Sequence, residues 1–103
     1  MKITEREFVQ KIAHLPFVDE IWLYGSRARG SEKNRSDVDL AIVCPRPNEH
    51  EWQQILAIIE DSDTLLKIDC VRFDSVKQNS LFYNEIVQDR KLIYTKNSGF
   101  MQT

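Results

Sequence analysis

Two short apolar runs, residues 21–24 and 38–44, are joined by a polar connector that opens on Gly25-Ser26 and closes on Asp37-Val38-Asp39. The first run is rich in β-branched, aromatic and aliphatic residues and stops at Gly25; the second is terminated by Pro45-Arg46-Pro47. Both read as strands. Side chains at i and i+2 of a strand share a face, so Asp37 and Asp39 project the same way, about 6 to 7 Å apart along the backbone. Like charges held that close repel unless something positive lies between them. The simplest candidate is a divalent cation, since Mg²⁺ is usually held by one or two carboxylates, with water and substrate phosphates completing its shell. The Gly25-Ser26 turn then becomes a candidate phosphate cradle.

The other segments supply a scaffold. Thr4-Glu5-Arg6-Glu7 fits a capping box, with Ile3 placed to staple against Phe8, and Phe8, Ile12 and Leu15 recur at helical spacing. A first helix is expected over residues 5–15, ending before Pro16. The first residues of the connector can form one helical turn. Asn48-Glu49-His50-Glu51 is a second capping-box start, followed by an apolar stripe of Trp52, Ile55, Leu56 and Ile59. Residues 65–73 read as a third strand, with Leu66, Ile68 and Cys70 on one face and Lys67, Asp69 and Val71 on the other. Residues 75–88 read as one helix or two short ones facing inward through Leu81, Phe82 and Ile86. A short strand follows at 91–95, and 96–103 looks like a tail. Strands alternating with helices indicate an α/β or α+β domain over residues 1–95, with helices packed on one face of the sheet. The other face of the second and third strands would carry Asp37, Asp39, Lys67 and Asp69.

At 103 residues the chain has room for one core. With 42% hydrophobic and 29% charged residues, disorder is not expected. A net charge of -2 lacks the basic footprint of a protein that tracks nucleic acid, so direct nucleic-acid binding is not expected. Cys44 and Cys70 sit in apolar runs without metal-ligand spacing and read as reduced core residues, which suits the cytoplasm. No apolar stretch suggests a membrane span and no leader pattern opens the chain.

A lone Asp-x-Asp is weak evidence, and Asp61-Ser62-Asp63 supplies an internal control. That pair lies beside Glu60 at a helix end and reads as a solvated turn. Asp37 and Asp39 instead enter an apolar strand, where an unpaired carboxylate is costly; metal binding and surface charge both remain open on spacing alone. Asp69 interrupts another apolar strand and adds a third carboxylate to the same face, the alternative being an ion pair with Lys67 or Arg72. Gly25 and Gly30 have P-loop spacing, but Ser31 and Glu32 stand where Lys and Ser/Thr are needed, and no GxGxxG is present. What remains is a turn entering a helical first turn, where exposed N–H groups and the Ser26 hydroxyl can hold phosphate oxygens. Arg27 and Arg29 either add charge there or are solvated. His14 and His50 carry no assigned chemistry, and Trp22 and Trp52 read as core.

Gly25-Ser26, ten intervening residues, Asp37-Val38-Asp39 and a later carboxylate on a strand together resemble the signature of the DNA polymerase beta-type nucleotidyltransferase superfamily. Gly-Ser-Arg-Ala-Arg-Gly over residues 25–30 and the short chain resemble its minimal nucleotidyltransferase branch, often encoded beside a HEPN-domain protein. The resemblance covers about residues 20–95. It implies a small mixed sheet flanked by helices, Gly25 and Ser26 on nucleotide phosphates, and Asp37 and Asp39 on two Mg²⁺ ions. Asp69 matches the third carboxylate, which shares a metal and helps deprotonate the acceptor. The implied reaction moves AMP, or another nucleoside monophosphate, from ATP or another triphosphate to a hydroxyl. The implied partner is a HEPN toxin carrying an acceptor tyrosine, with this chain as antitoxin and Phe82, Tyr83, Phe100 and the C-terminal tail as candidate contacts. Two rivals stand beside it: a non-catalytic antitoxin acting by occlusion, and a nucleotidyltransferase acting on a small molecule such as an aminoglycoside.

Overall fold

The computed structural model describes residues 3–33, 36–45 and 48–101; Asn34 and Arg35 of the connector, Arg46 and Pro47 of the terminating Pro-Arg-Pro, and the last two residues of the expected tail lie outside these. The described residues form α1 (Glu7–Ala13), β1 (Glu20–Tyr24), α2 (Ser26–Arg29), β2 (Val38–Val43), α3 (Glu49–Glu60), β3 (Ile68–Arg72), α4 (Leu81–Asp89), β4 (Lys91–Thr95) and β5 (Gly99–Phe100), with 3₁₀ turns at Ile3–Glu5 and Phe73–Ser75. Among them no helix is long and apolar enough to cross a membrane.

The five strands make one mixed sheet in the order β3-β2-β1-β4-β5. β1 is central, which is why all of Ile21, Trp22, Leu23 and Tyr24 are buried. It pairs antiparallel with β2 and β4, whereas β2 and β3 are parallel and joined through α3. On one face Ile21, Leu23, Leu40 and Ile42 pack against Phe8, Val9 and Ile12 of α1 and Ile55 of α3. Cys44 is buried in the same cluster, and both cysteines are free thiols.

The second face departs from the expectation of helices on one side only. Trp22, Tyr24 and Ala41 are covered there by Ile86 of α4, with Val71, Phe73 and Val76 at the margin. An aromatic pair as large as Trp22 and Tyr24 needs cover, and α4 supplies it over β1 while leaving the ends of β2 and β3 open. The phase of α4 also differs: Ile86 is buried, but Leu81 is 87% and Phe82 39% exposed. Helical neighbours on one face are three and four residues apart, so Leu81 at five residues from Ile86 falls off its face. Tyr83 takes the inward position instead, stacked on Phe73 at 5.2 Å between ring centroids.

The two capping boxes had different fates. Asn48 Oδ1 accepts from the Glu51 N–H at 2.8 Å and the Glu51 carboxylate accepts from the Asn48 N–H at 3.1 Å, closing the box that starts α3. Thr4 is taken up by the 3₁₀ turn, so α1 begins late, at Glu7, after Arg6 and without a side-chain cap. β3 is shorter than expected and begins at Ile68, where its partner Val38 begins. The expected tail folds back: Gly99 and Phe100 pair with Thr95 and Tyr94, and Met101 N–H donates to Ile93 C=O.

Because Ile55 is fully buried where α3 meets the sheet, Ile55→Ala is expected to cost about 2–5 kcal/mol of stability. Urea unfolding checks this through a lowered midpoint at unchanged slope; a shift worth under about 1 kcal/mol would contradict the packing.

Candidate active site

β1 delivers the chain to Gly25 with φ 76° and ψ −156°, a conformation hostile to L side chains. A Cβ at Gly25 would also collide with Asp39 Oδ2. Glycine is therefore needed twice at this position, once for its backbone angles and once for the approach of Asp39. That approach follows from the register, since Tyr24 at the end of β1 lies opposite Asp39 on β2. Past Gly25 the chain turns into α2, where the Ala28 and Arg29 N–H groups both donate to Gly25 C=O at 3.1 Å. The amides that open a helical turn have no partner within it and are free to meet an anion.

Asp69 lies opposite Asp39 across the parallel β2–β3 pair. Residues opposed on neighbouring strands share a face about 4.8 Å apart, so the two carboxylates stand side by side. Gly25, Ser26, Arg29, Asp37, Asp39 and Asp69 all line one open cleft of about 760 Å³. Arg27 does not line it: its guanidinium donates two hydrogen bonds to Ser36 C=O, at 3.2 and 3.0 Å, and so ties α2 to the far end of the connector. Arg29 reaches across to α4, where it donates to Asp89 at 2.6 Å.

The electrostatics of the cleft are strained. Burial holds the Asp39 carboxyl above the ordinary carboxylate value, the charges of Asp69 and Asp37 and a hydrogen bond with Asp69 raise it further, and Arg29 pulls it down. Tyr24, whose hydroxyl feels Asp39, Asp69 and Glu85, is pushed up mainly by burial and stays protonated. The alternative partners of Asp69 contribute little. Lys67 approaches it at 3.8 Å as a largely exposed pair, and Arg72 is committed to the carbonyls of Cys44 and Pro45.

Among the described residues, no three His, Cys, Asp or Glu side chains converge into a ready metal cage. The donor set still suits a hard cation that takes one or two protein carboxylates and completes its shell with phosphate and water. Side-by-side Asp39 and Asp69, with Asp37 on the same cleft wall, offer those donors where positive charge is short. Sequence reasoning missed Tyr24, Ser36, Glu85 and Asp89, which also line the cleft. The spacing of Phe82, Glu85 and Asp89, at three- and four-residue intervals, puts them on one face of α4 but does not say that this face meets the cleft; Phe82 is expected from the sequence both as an inward residue and as a candidate partner contact.

A family model described as Polymerase beta, Nucleotidyltransferase matches residues 7–99. The chain belongs to this nucleotidyltransferase family. Solved structures share the family's fold. A Sulfolobus solfataricus protein described as a nucleotidyltransferase superposes with a TM-score of 0.62 at 20% identity, over 97% of this chain and 85% of that one. A toxin–antitoxin crystallised with AMP-PNP gives 0.60 at 23% identity, over 89% of this chain and 74% of that one. A mutant of the toxin–antitoxin MntA–HpeT gives 0.58 at 20% identity, over 87% and 68%. No curated protein is significantly similar in sequence.

Two outcomes follow from the cleft. Without metal, Asp39 holds its proton more tightly when folded than when unfolded. Stability therefore falls as pH rises from the ordinary carboxylate range through the raised folded value, and stays lower above it. The thermal midpoint is expected to drop across that interval in the metal-free protein and to drop less in Asp39→Asn; equal profiles would contradict the crowding of charge. Gly25→Ala is expected to cost at least about 1 kcal/mol through backbone strain and displacement of Asp39. Its thermal denaturation should show the loss, and a midpoint equal to the parent's would contradict the close approach.

Proposed function

We propose that this chain transfers a nucleoside monophosphate, AMP foremost, from a nucleoside triphosphate to a tyrosine hydroxyl on a partner protein, and that it acts in the cytoplasm as the antitoxin of a HEPN-domain toxin encoded beside it. The observation that carries the catalytic part is the in-register placement of Asp39 and Asp69 in the same cleft as the Gly25-Ser26 turn. Family membership supports the reaction class. The toxin–antitoxin structures that share the fold, one of them crystallised with AMP-PNP, support the partner and the nucleotide.

In this reading the amides of the α2 turn and the Ser26 hydroxyl hold phosphate oxygens, and Arg29 adds positive charge beside them. Asp37, Asp39 and Asp69 would hold the divalent ions, two Mg²⁺ on the family pattern. Bound there, such ions supply charge neutralisation and polarisation of the α-phosphoryl group. Asp69, on the edge strand of the sheet, faces the side from which an acceptor can enter and takes up the hydroxyl proton. The acceptor oxygen bonds to the α-phosphorus, the bond to the bridging oxygen breaks, and pyrophosphate leaves. Phe82 on the cleft wall and its neighbour Leu81 are exposed, apolar and available to a protein acceptor.

Co-expression with the partner followed by intact-mass measurement tests the proposal. Mass increments of AMP on the partner are expected. They should fall by about 10²–10³-fold or more in rate with Asp37→Asn or Asp39→Asn, while the fold survives. An inactive partner of unchanged mass would contradict catalysis and leave control by binding.

A further inference from the structure

Among the described residues, one ion pair joins distant parts of the chain and reaches the cleft: Arg29 at the end of α2 and Asp89 at the end of α4, 2.6 Å apart. Arg29 is also the only cationic side chain lining the cleft among those residues, against the carboxylates of Asp37, Asp39, Asp69, Glu85 and Asp89. We infer that Asp89 is a positioning residue for the nucleotide: it fixes the Arg29 guanidinium at the cleft wall so that its unused donors meet the phosphates of an entering triphosphate. The inference rests on the cleft being a nucleoside triphosphate site and adds to that reading a residue on a different element.

Asp89 is well placed for the task. It closes a helix anchored by fully buried Ile86. The next residue, Arg90, donates its N–H to Ile86 C=O at 2.8 Å and lays its guanidinium 4.6 Å from the centre of the Trp22 ring. The helix end that presents the carboxylate is thus held from both sides. The Asp89 side chain is 17% exposed, whereas that of Arg29 is 52% exposed. A guanidinium has five N–H donors, and the bond to Asp89 Oδ2 uses one at Nη1, so the fork keeps donors for phosphate.

Asp89 has an opposing effect, since its charge offsets that of Arg29 and repels an anion. The two effects give Asp89→Asn opposite signs, and the orienting one sets the expected outcome. Arg29 is half-exposed and makes its one side-chain hydrogen bond among the described residues to Asp89, so without that carboxylate the fork is loose in solvent. An unpaired arginine would lose rotamer freedom each time a nucleotide binds. Asp89 removes that loss in advance.

The test uses the full chain with Mg²⁺ and a nonhydrolysable ATP analogue for affinity, and ATP with the acceptor partner for kinetics. Asp89→Asn keeps the shape and removes the charge. It is expected to raise Kd for the analogue and KM for ATP about tenfold, with a much smaller change in kcat. Asp89→Glu should recover most of the affinity, and in an Arg29→Met background Asp89→Asn should have little further effect. Unchanged or tighter binding by Asp89→Asn, or an undiminished effect in the Arg29→Met background, would overturn the inference. So would a loss in Asp89→Asn matched by lowered thermal stability and equal loss of kcat, the mark of a structural staple. Failure of the parent chain itself to bind the analogue would overturn the nucleotide reading and this inference with it.

Discussion

The parallel pairing of β2 with β3 sets Asp39 beside Asp69, and much of the structure can be understood as holding that pair together against its own repulsion. Neither carboxylate is chosen by the sheet for stability. They are kept adjacent because the same strands place Leu40, Ile42, Ile68 and Cys70 on the opposite face, where α1 and α3 seal the core. Alternation along a strand makes the two outcomes inseparable: a register that buries the apolar set on one face must present the aspartates on the other. Hydrophobic burial thereby holds charge in an arrangement that water alone would not favour.

The same constraint explains the turn. Asp39 crowds the end of β1 so closely that only a residue without a Cβ fits at Gly25, and this approach places the amides of α2 next to the carboxylates. Phosphate and cation would then share one cleft wall, as nucleotidyl transfer requires. α4 completes the arrangement from the far side. It covers Trp22 and Tyr24 through Ile86 yet stops short of Asp39 and Asp69, and its last residue engages Arg29.

Much of this was legible in the sequence, for physical reasons. The strands at 21–24, 38–44 and 91–95 announce themselves by β-branched and aromatic runs bounded by glycine, proline or charge. Asp69 stands out because a carboxylate inside an apolar strand needs a reason. Local patterns that compete with tertiary contacts were less readable. Thr4 and Asn48 carry similar capping signals, but only Asn48 forms its box, since the 3₁₀ turn at Ile3–Glu5 claims Thr4 first. β5 has only two residues, and a sequence as polar as Lys96-Asn97-Ser98 does not reveal that the chain turns back after it. Glu85 and Asp89 lie on a helix surface among Asn84 and Gln88, where a carboxylate is the ordinary occupant. Only the packing of α4 against β1 shows that this surface faces the cleft. Arg27 and Arg29, indistinguishable by composition, part company for a similar reason: one finds the Ser36 carbonyl and the other finds Asp89.

The central claim, that Asp37, Asp39 and Asp69 hold divalent cations against a triphosphate seated on Gly25 and Ser26, is tested most directly by crystals grown with Mn²⁺ and a nonhydrolysable ATP analogue, with diffraction recorded at the manganese edge. Anomalous peaks within coordination distance of these carboxylates, bridged to phosphate oxygens that reach the α2 amides, are the expected result. A nucleotide bound elsewhere, or manganese absent from the carboxylates while the nucleotide is present, would contradict it.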